Sequence, residues 1–312
     1  MTANVVNLSG GKDSTAVLLL AVEQGPDNLS AVFADTGHEH PATYEYVDYL
    51  ERAVGVGVTR VRACFKARIA GKREFIVRKW AADGVPQAHI DRALEVLVTT
   101  GNPFLDMCLW KGRFPSPRRR ICTDELKVIP LNTQCFMPLL KEHAKVVSWV
   151  GVRRDESKAR ANLSECEQGD LPGLWAYRPI LDWRAQDCFD LHKRHGIKWN
   201  PLYENGMSRV GCMPCVMSGK DEFHAIASRY PEEIDRVARW EEIAAAAGKT
   251  GNGTFFDARR VRKSIDEPLH YTTHGVRAYE AWSRTLRGGG ALDPVKANED
   301  VSVCRSVYGL CE

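Results

Sequence analysis

Leu8–Ser9–Gly10–Gly11–Lys12–Asp13–Ser14–Thr15 brings three hydroxyls, two adjacent glycines, an ammonium and a carboxylate into eight residues. Such a set suits anion binding. Gly10 and Gly11 let the backbone turn tightly and approach a phosphate closely. Ser9 and Ser14 add hydroxyl donors, and Lys12 adds a mobile cation. Asp13 is the odd member, because a carboxylate beside phosphates repels them unless it holds a metal or caps a helix. The bland alternative is an ordinary Ser/Gly turn that caps a helix. The G-x-x-x-x-G-K-[ST] spacing of a Walker loop is missing.

The elements around this turn suit the chemistry. Asn4–Val5–Val6–Asn7 reads as a buried strand, and Ala16–Val22 reads as a buried helix. Strand, glycine turn and helix together present unpaired backbone N–H groups to an anion. A second strand, Leu29–Ala34, ends at Asp35–Thr36–Gly37–His38–Glu39–His40–Pro41. The carboxyl end of a parallel strand is where doubly wound sheets place ligands. Pro41 opens a helix to about Val54, and Val58–Arg62 is a third strand. Residues 66–117 read as a helical insertion: Lys66–Trp80, Ala88–Thr99, then a Gly/Pro-punctuated stretch. Thr123 or Asp124 is expected to cap the helix that follows Arg118–Arg120. Val146–Val152 is a buried strand, Ala185–His195 an amphipathic helix, and the chain from Asp221 to about Ala247 is helical. Another helix is expected over His274–Leu286, followed by a flexible joint at Gly288–Gly290. His192 and His195 carry no ligand spacing with a nearby Cys and read as helix-surface residues.

Cys212 and Cys215 form a C-x-x-C. Alone, that pair suits a zinc half-site, a redox pair, an iron–sulfur half-site or nothing. Cys64, Cys108, Cys135, Cys166 and Cys188 stand isolated, and the default for each is a small buried hydrophobe.

The first stretch resembles the SGGKDS signature of the PP-loop superfamily. Four further segments resemble, in order, motifs of phosphoadenosine phosphosulfate (PAPS) and adenosine phosphosulfate (APS) reductases. Asp35–Thr43 is similar to DTG-x-x-x-PET, with Ala42 in place of Glu. Arg120–Leu131 is similar to R-x-C-x-x-x-L-K-x-x-P-L, with Ile121 where cluster-bearing APS reductases carry the first of two cysteines. Gly151–Arg160 is similar to G-x-R-x-D-E-S-x-x-R, and Asn200–Cys215 to N-P-L-Y…R-x-G-C-x-x-C. The resemblance spans about residues 4–220. It implies an α/β fold with a doubly wound, mostly parallel, Rossmann-like sheet (adenine nucleotide alpha hydrolase-like). The expected organisation is a nucleotide-binding domain over 1–220, with a helical C-terminal extension and Cys-containing tail over 221–312.

The same resemblance implies the site. Ser9, Gly10, Gly11, Lys12, Asp13, Ser14, Asp35, Thr36, Gly37, Gly151, Arg153 and Arg160 would bind an adenine nucleotide. Guanidinium groups suit bidentate recognition of phosphate or sulfate. A surface salt-bridge cluster with Asp155 and Glu156 is the alternative for the two arginines. Lys12, Asp13 and Arg153 would be catalytic, with Cys304 or Cys311 as the attacking thiolate. Cys122, Cys212 and Cys215, with Cys311 favoured over Cys304 as the fourth, would hold a 4Fe–4S cluster. The reductases end in E-C-G-L-H, whereas this chain ends Tyr308–Gly309–Leu310–Cys311–Glu312.

Three activities are consistent with these residues. The first is reduction of an adenylyl sulfate, with a thioredoxin-type reductant. The second is ATP- and Mg²⁺-dependent adenylation and thiolation of nucleic acid, with a cysteine desulfurase as partner. The basic runs Arg118–Arg120 and Arg259–Lys263 fit the second. The third is a non-catalytic nucleotide-binding or cluster-sensing protein. Composition bounds all three. The chain has 312 residues, 44% apolar and 27% charged, with a net charge of +3, which by itself implies no partner. No apolar run approaches a membrane span, and the chain starts directly into a strand, so a cytoplasmic protein with no membrane partner is expected. Its ten cysteines are then expected as thiols or ligands rather than disulfides. A homo-oligomer is allowed.

Overall fold

The computed structural model describes residues 1–264 and 266–285. Six strands form one sheet: β1 (Thr2–Leu8), β2 (Leu29–Asp35), β3 (Val58–Arg62), β4 (Lys145–Trp149), β5 (Cys166–Gln168) and β6 (Leu174–Tyr177). Their order is β3-β2-β1-β4-β6-β5, parallel throughout except for antiparallel β5. The central strands are buried on both faces, which explains their runs of Val and Ala rather than polar alternation. The order reverses between β1 and β4, and the Gly10–Ser14 turn leaves β1 at that point. This is the switch point where doubly wound sheets bind ligands.

Helices cover both faces. On one side lie α1 (Lys12–Gln24) and α2 (Pro41–Val54), packed through Leu18, Leu19, Val47 and Leu50. On the other, a helical run over 121–142 packs Leu131, Cys135 and Phe136 against Val5, Val32 and Val146. That run contains π-type turns at Asp124–Val128 and Asn132–Phe136. Each turn closely precedes a proline, Pro130 or Pro138, which lacks the N–H of a regular helical turn. Thr123 and Asp124 lie inside this run, which starts at Ile121 after Arg120 with no side-chain cap. The expected cap is therefore corrected.

The insertion forms α3 (Lys66–Ala82), α4 (Gln87–Val96) and α5 (Pro103–Lys111). The Ala185–Arg194 helix, α6 here, packs on α1. The stretch expected to be helical from 221 to about 247 forms two helices, α7 (Lys220–Arg229) and α8 (Pro231–Ala246). Pro231 forces the break, because the residue before a proline avoids helical backbone, and Tyr230 sits at φ −133° and ψ 59°. A last helix, α9 (Val276–Ser283), is shorter than expected among the described residues.

Insertion and extension share the largest apolar cluster. Ile76, Trp80, Met107 and Leu109 pack with Phe223, Ile234, Val237 and Tyr279. Lys72 fastens the two, its ammonium donating to Leu109 O at 2.7 Å and Ala247 O at 2.9 Å. Burial lowers the Lys72 pKa to about 8.

Glu241 on α8 makes a second fastening. Its carboxylate accepts from Phe255 N at 2.7 Å and from Val276 N at 2.8 Å. The side chain is buried, and burial raises its pKa to about 7 despite the two donors. A carboxyl with a raised folded-state pKa contributes stability that is complete below its unfolded value and lost as pH rises through the folded value. The Glu241 contribution is therefore expected to fall by about 3 kcal/mol between roughly pH 4.5 and pH 8. Urea unfolding across that range checks it, since Glu241→Gln should remove this part of the slope. An identical slope in the variant would contradict the assignment.

Candidate functional site

The turn after β1 is built largely from its own polar groups. Ser14 Oγ donates to Gly11 O at 3.0 Å and accepts from Ser9 N at 3.1 Å. Ser9 Oγ lies 3.0 Å from Ser14 Oγ and accepts from Gly11 N at 3.3 Å. Gly10 has φ +80°, and a Cβ there would stand 2.7 Å from Thr43 Cγ2, so glycine is required for both conformation and space. Tyr203 supplies a hydroxyl that accepts from Lys12 N at 3.0 Å, and Asn200 Nδ2 donates to Gly10 O at 3.2 Å. The Asn200–Tyr203 segment thus closes over the turn from a distant part of the chain.

Asp13 faces inward and is fully buried. Lys12 Nζ donates to its Oδ2 at 2.9 Å, and Arg153 Nε donates to its Oδ1 at 2.7 Å. The Cys188 thiol donates to the same Oδ1 at 3.2 Å. Burial pushes this carboxyl up, but Lys12 and Arg153 outweigh it and hold the group below the ordinary carboxylate range. Burial and Asp13 together push the Cys188 thiol up, so it stays protonated as a donor. Asp13 thus anchors the turn through an internal ion pair and sits beneath the surface that a ligand would meet.

Arg153 also donates to both oxygens of Asp155, at 2.6 and 2.7 Å. Arg153 is 6% exposed in its side chain, whereas Asp155 is 49% exposed. Buried Arg160 pairs with Glu156, and Glu156 also accepts from Arg153 N at 2.9 Å. Gly151, two residues past the end of β4, lies against the first turn of α1. A Cβ there would lie 2.8 Å from both Asp13 C and Ser14 N. The two βα turns of the switch point therefore touch backbone to backbone.

The turn after β2 is equally committed. Asp35 Oδ1 accepts from Gly37 N and from the Tyr44 hydroxyl, both at 2.8 Å, and Oδ2 lies 3.3 Å from Arg62 Nε. Buried Glu39 accepts from Thr36 Oγ1 at 2.6 Å and from the Tyr44 hydroxyl at 2.9 Å. Burial, with Glu39 and Asp35, pushes the Tyr44 phenol up, so it remains a donor. Gly37 has φ +73°, and its carbonyl accepts from Asn102 Nδ2 at 2.6 Å, which docks the start of α5 onto this turn.

The Cys212–Cys215 loop lies on the same turn. An isolated antiparallel bridge pairs Glu39 with Cys212. The Cys212 thiol lies 3.6 Å from Thr36 Oγ1 and 3.9 Å from Glu39 Oε1. Burial pushes this thiol up, and Glu39, Cys215 and Cys122 add to the effect while Lys127 opposes it. Cys122, Cys212 and Cys215 thus share one electrostatic neighbourhood. Among the described residues, however, no three Cys, His, Asp or Glu side chains stand close enough to hold one metal ion. A 4Fe–4S cluster needs four ligands. The described residues supply at most three of the expected ligands, Cys122, Cys212 and Cys215, since Cys304 and Cys311 lie outside them.

Several residues at the site had no motif to mark them. His192 was expected on a helix surface, but it is buried, with Nε2 3.1 Å from Lys12 O. Cys188 and His192 are four apart on α6 and so share one face, which packs under the glycine turn. That i, i+4 spacing beside apolar Leu191 was the available signal. His195 instead meets Glu23 at 2.8 Å near the surface. His38 is buried against Phe104 and Trp240, and burial with Arg236 holds its pKa well below the ordinary value. Of the isolated cysteines, Cys108, Cys135 and Cys188 are buried as expected, but Cys64 and Cys166 are exposed. Cys64 lies in the loop between β3 and α3, and Cys166 lies on the edge strand β5 between Glu165 and Glu167. In the second basic run, Arg259 is paired with Asp257 and Arg260 donates to the Tyr279 hydroxyl at 3.0 Å. No helix among the described residues is long and apolar enough to cross a membrane.

Comparison with known proteins gives this geometry a lineage. A protein from Escherichia phage 186, named "Uncharacterized 37.8 kDa protein in gpa 5'region", is 49% identical over the whole chain and 97% of its own length. Phosphoadenosine 5'-phosphosulfate reductase of Cronobacter sakazakii is 25% identical over 66% of this chain and 68% of its own. The solved PAPS reductase of Candida auris, a phosphate complex, covers 67% of this chain and 80% of its own at 16% identity, with a TM-score of 0.43. The model of the phosphoadenosine phosphosulfate reductase domain matches residues 3–218. That match runs from β1 through the glycine turn, the Gly151–Arg160 turn and the cysteine loop, and so the chain belongs to the phosphoadenosine phosphosulfate reductase domain family.

Proposed function

We propose that the chain is a reductase that binds APS or PAPS at the β1–β4 switch point and reduces the sulfuryl group to sulfite. The observation that carries this reading is the abutment of the Gly10–Ser14 and Gly151–Arg160 turns, with Lys12 at their rim. Phosphate oxygens would meet the helix N-terminus of α1 and the Lys12 ammonium. Arg153 would meet the phosphosulfate by exchanging its exposed partner Asp155 for the ligand, while its bond to Asp13 keeps the guanidinium aimed.

A tail thiolate, Cys304 or Cys311, then attacks the sulfur of the sulfuryl group. A sulfur–sulfur bond forms, the sulfur–oxygen bond to the phosphate breaks, and AMP or 3′,5′-bisphosphoadenosine leaves with the electron pair. A thioredoxin-type dithiol attacks the cysteine sulfur of the S-sulfonate, releases sulfite and ends oxidised to a disulfide. Protein purified without oxygen and supplied with APS or PAPS plus a thioredoxin system should form sulfite. Lys12→Ala should lower kcat/KM about 10²-fold, the order lost with one preorganised electrostatic partner. Unchanged turnover in that variant would favour a non-catalytic nucleotide-binding protein.

The second reading is an adenylating sulfurtransferase using ATP and Mg²⁺, with nucleic acid as acceptor and a cysteine desulfurase as sulfur source. The shared neighbourhood of Cys122, Cys212 and Cys215 favours it, as does the basic run Arg118–Arg120 just before Cys122. Nucleic-acid-dependent release of AMP and pyrophosphate from ATP, without sulfite from APS or PAPS, would establish this reading and exclude the reductase.

A further inference from the structure

The Cys212–Met213–Pro214–Cys215 loop is held by groups that the motifs leave unexplained. Met213 N donates to His38 O at 2.9 Å. The His38 ring meets Pro214 O through Nε2 at 2.8 Å and Arg236 through Nδ1 at 3.2 Å. Arg236 also donates to Met213 O at 2.8 Å, and it is paired with Glu233 one turn earlier on α8. An arginine can only donate, so Nδ1 is the acceptor and Nε2 carries the proton that bonds Pro214 O. This arrangement fixes both the tautomer and the ring plane. Phe104 stacks on the ring with centroids 4.3 Å apart, and Trp240 lies at 5.1 Å. The ring has no room to turn, so both loop carbonyls between the two thiols are pinned.

We propose that His38 and Arg236 are positioning residues that fix the Cys212–Cys215 loop, and with it both thiols, against the carboxyl end of β2. Arg236 lies on α8, beyond residue 218 where the family match ends, so the extension completes the thiol site. The inference goes beyond the reductase reading and does not depend on it.

The test is alkylation of the native full chain by iodoacetamide, with site-resolved mass spectrometry. Exposed Cys64 serves as the reference within the same molecule. In Arg236→Ala the rate at Cys212 and Cys215 should rise about tenfold relative to Cys64, as expected when a charge-assisted bond to a buried loop is lost. His38→Gln, which keeps a donor for Pro214 O, should stay closer to the wild-type ratio than His38→Ala. If alanine at 236 unfolds the chain, Arg236→Gln reads the same ratio. An unchanged ratio in the folded arginine variant would overturn the proposal, and so would a parallel rise at all three cysteines. No nucleotide enters the assay, so its outcome is separable from that of sulfite formation.

Discussion

Arg153→Met is expected to destabilise the fold by about 3–5 kcal/mol, the range for breaking a buried ion pair from one side. The cost arises at Asp13, which is fully buried and keeps Lys12 and the Cys188 thiol as its remaining partners. Removing the 2.7 Å bond from Arg153 Nε leaves a buried carboxylate half compensated, and it also takes the guanidinium away from Asp155. Lys12 would be drawn further inward, away from any phosphate at the rim. Nucleotide affinity should therefore fall together with stability. Urea unfolding, read as a shift in midpoint at constant slope, checks the first part. The double variant Asp13→Asn/Arg153→Met separates charge from shape. It should be more stable than the sum of the single changes predicts, by about 1–3 kcal/mol, because it leaves no half-compensated buried carboxylate behind. Simple additivity would mean that Asp13 and Arg153 do not depend on each other.

Gly151→Ala is expected to cost about 3 kcal/mol, at the upper end for forcing an extra carbon into a packed site. The obstruction here is backbone. The new methyl would stand 2.8 Å from Asp13 C and Ser14 N and 3.0 Å from Asp13 O. A side chain could rotate away, but the first turn of α1 can only translate, and that carries Lys12 and the N–H groups with it. A displacement near 1 Å in a binding constellation costs about 10²-fold in rate. The variant should therefore lose nucleotide binding even where it remains folded, as titration calorimetry with APS or PAPS would show. Wild-type affinity in Gly151→Ala would mean that the β4 turn is not part of the nucleotide site.

Much of this was legible in the chain, for identifiable reasons. Val5–Val6, Ala31–Phe33 and Val146–Val147 mark strands because β-branched and apolar runs of that length have few other uses. Gly10, Gly37 and Gly151 mark the turns because no larger residue fits them. The antiparallel β5 was not legible, since Cys166–Glu167–Gln168 carries no alternation and pairs only along an edge. The inward role of Asp13 was hidden for another reason. Adjacency in the motif suggests a shared ligand for Lys12 and Asp13, but Asp13 points inward and pairs with an arginine 140 residues away. His38 and Arg236 stand 198 residues apart, and no local pattern announces such a meeting.

The fastening of Lys72 to Ala247 also orders events on the ribosome. The insertion helices leave the exit tunnel early, with Ile76, Trp80, Met107 and Leu109 turned toward a surface that does not yet exist. Their partners on α8 and α9 are translated much later, and the ammonium that closes the join waits for a carbonyl 175 residues downstream. Until then a broad apolar face is open to water and to neighbouring chains, the condition in which nascent proteins aggregate or recruit chaperones. The extension that holds the cysteine loop is therefore also the element that ends this exposure, and a premature stop near the end of the family domain would leave the face uncovered for good.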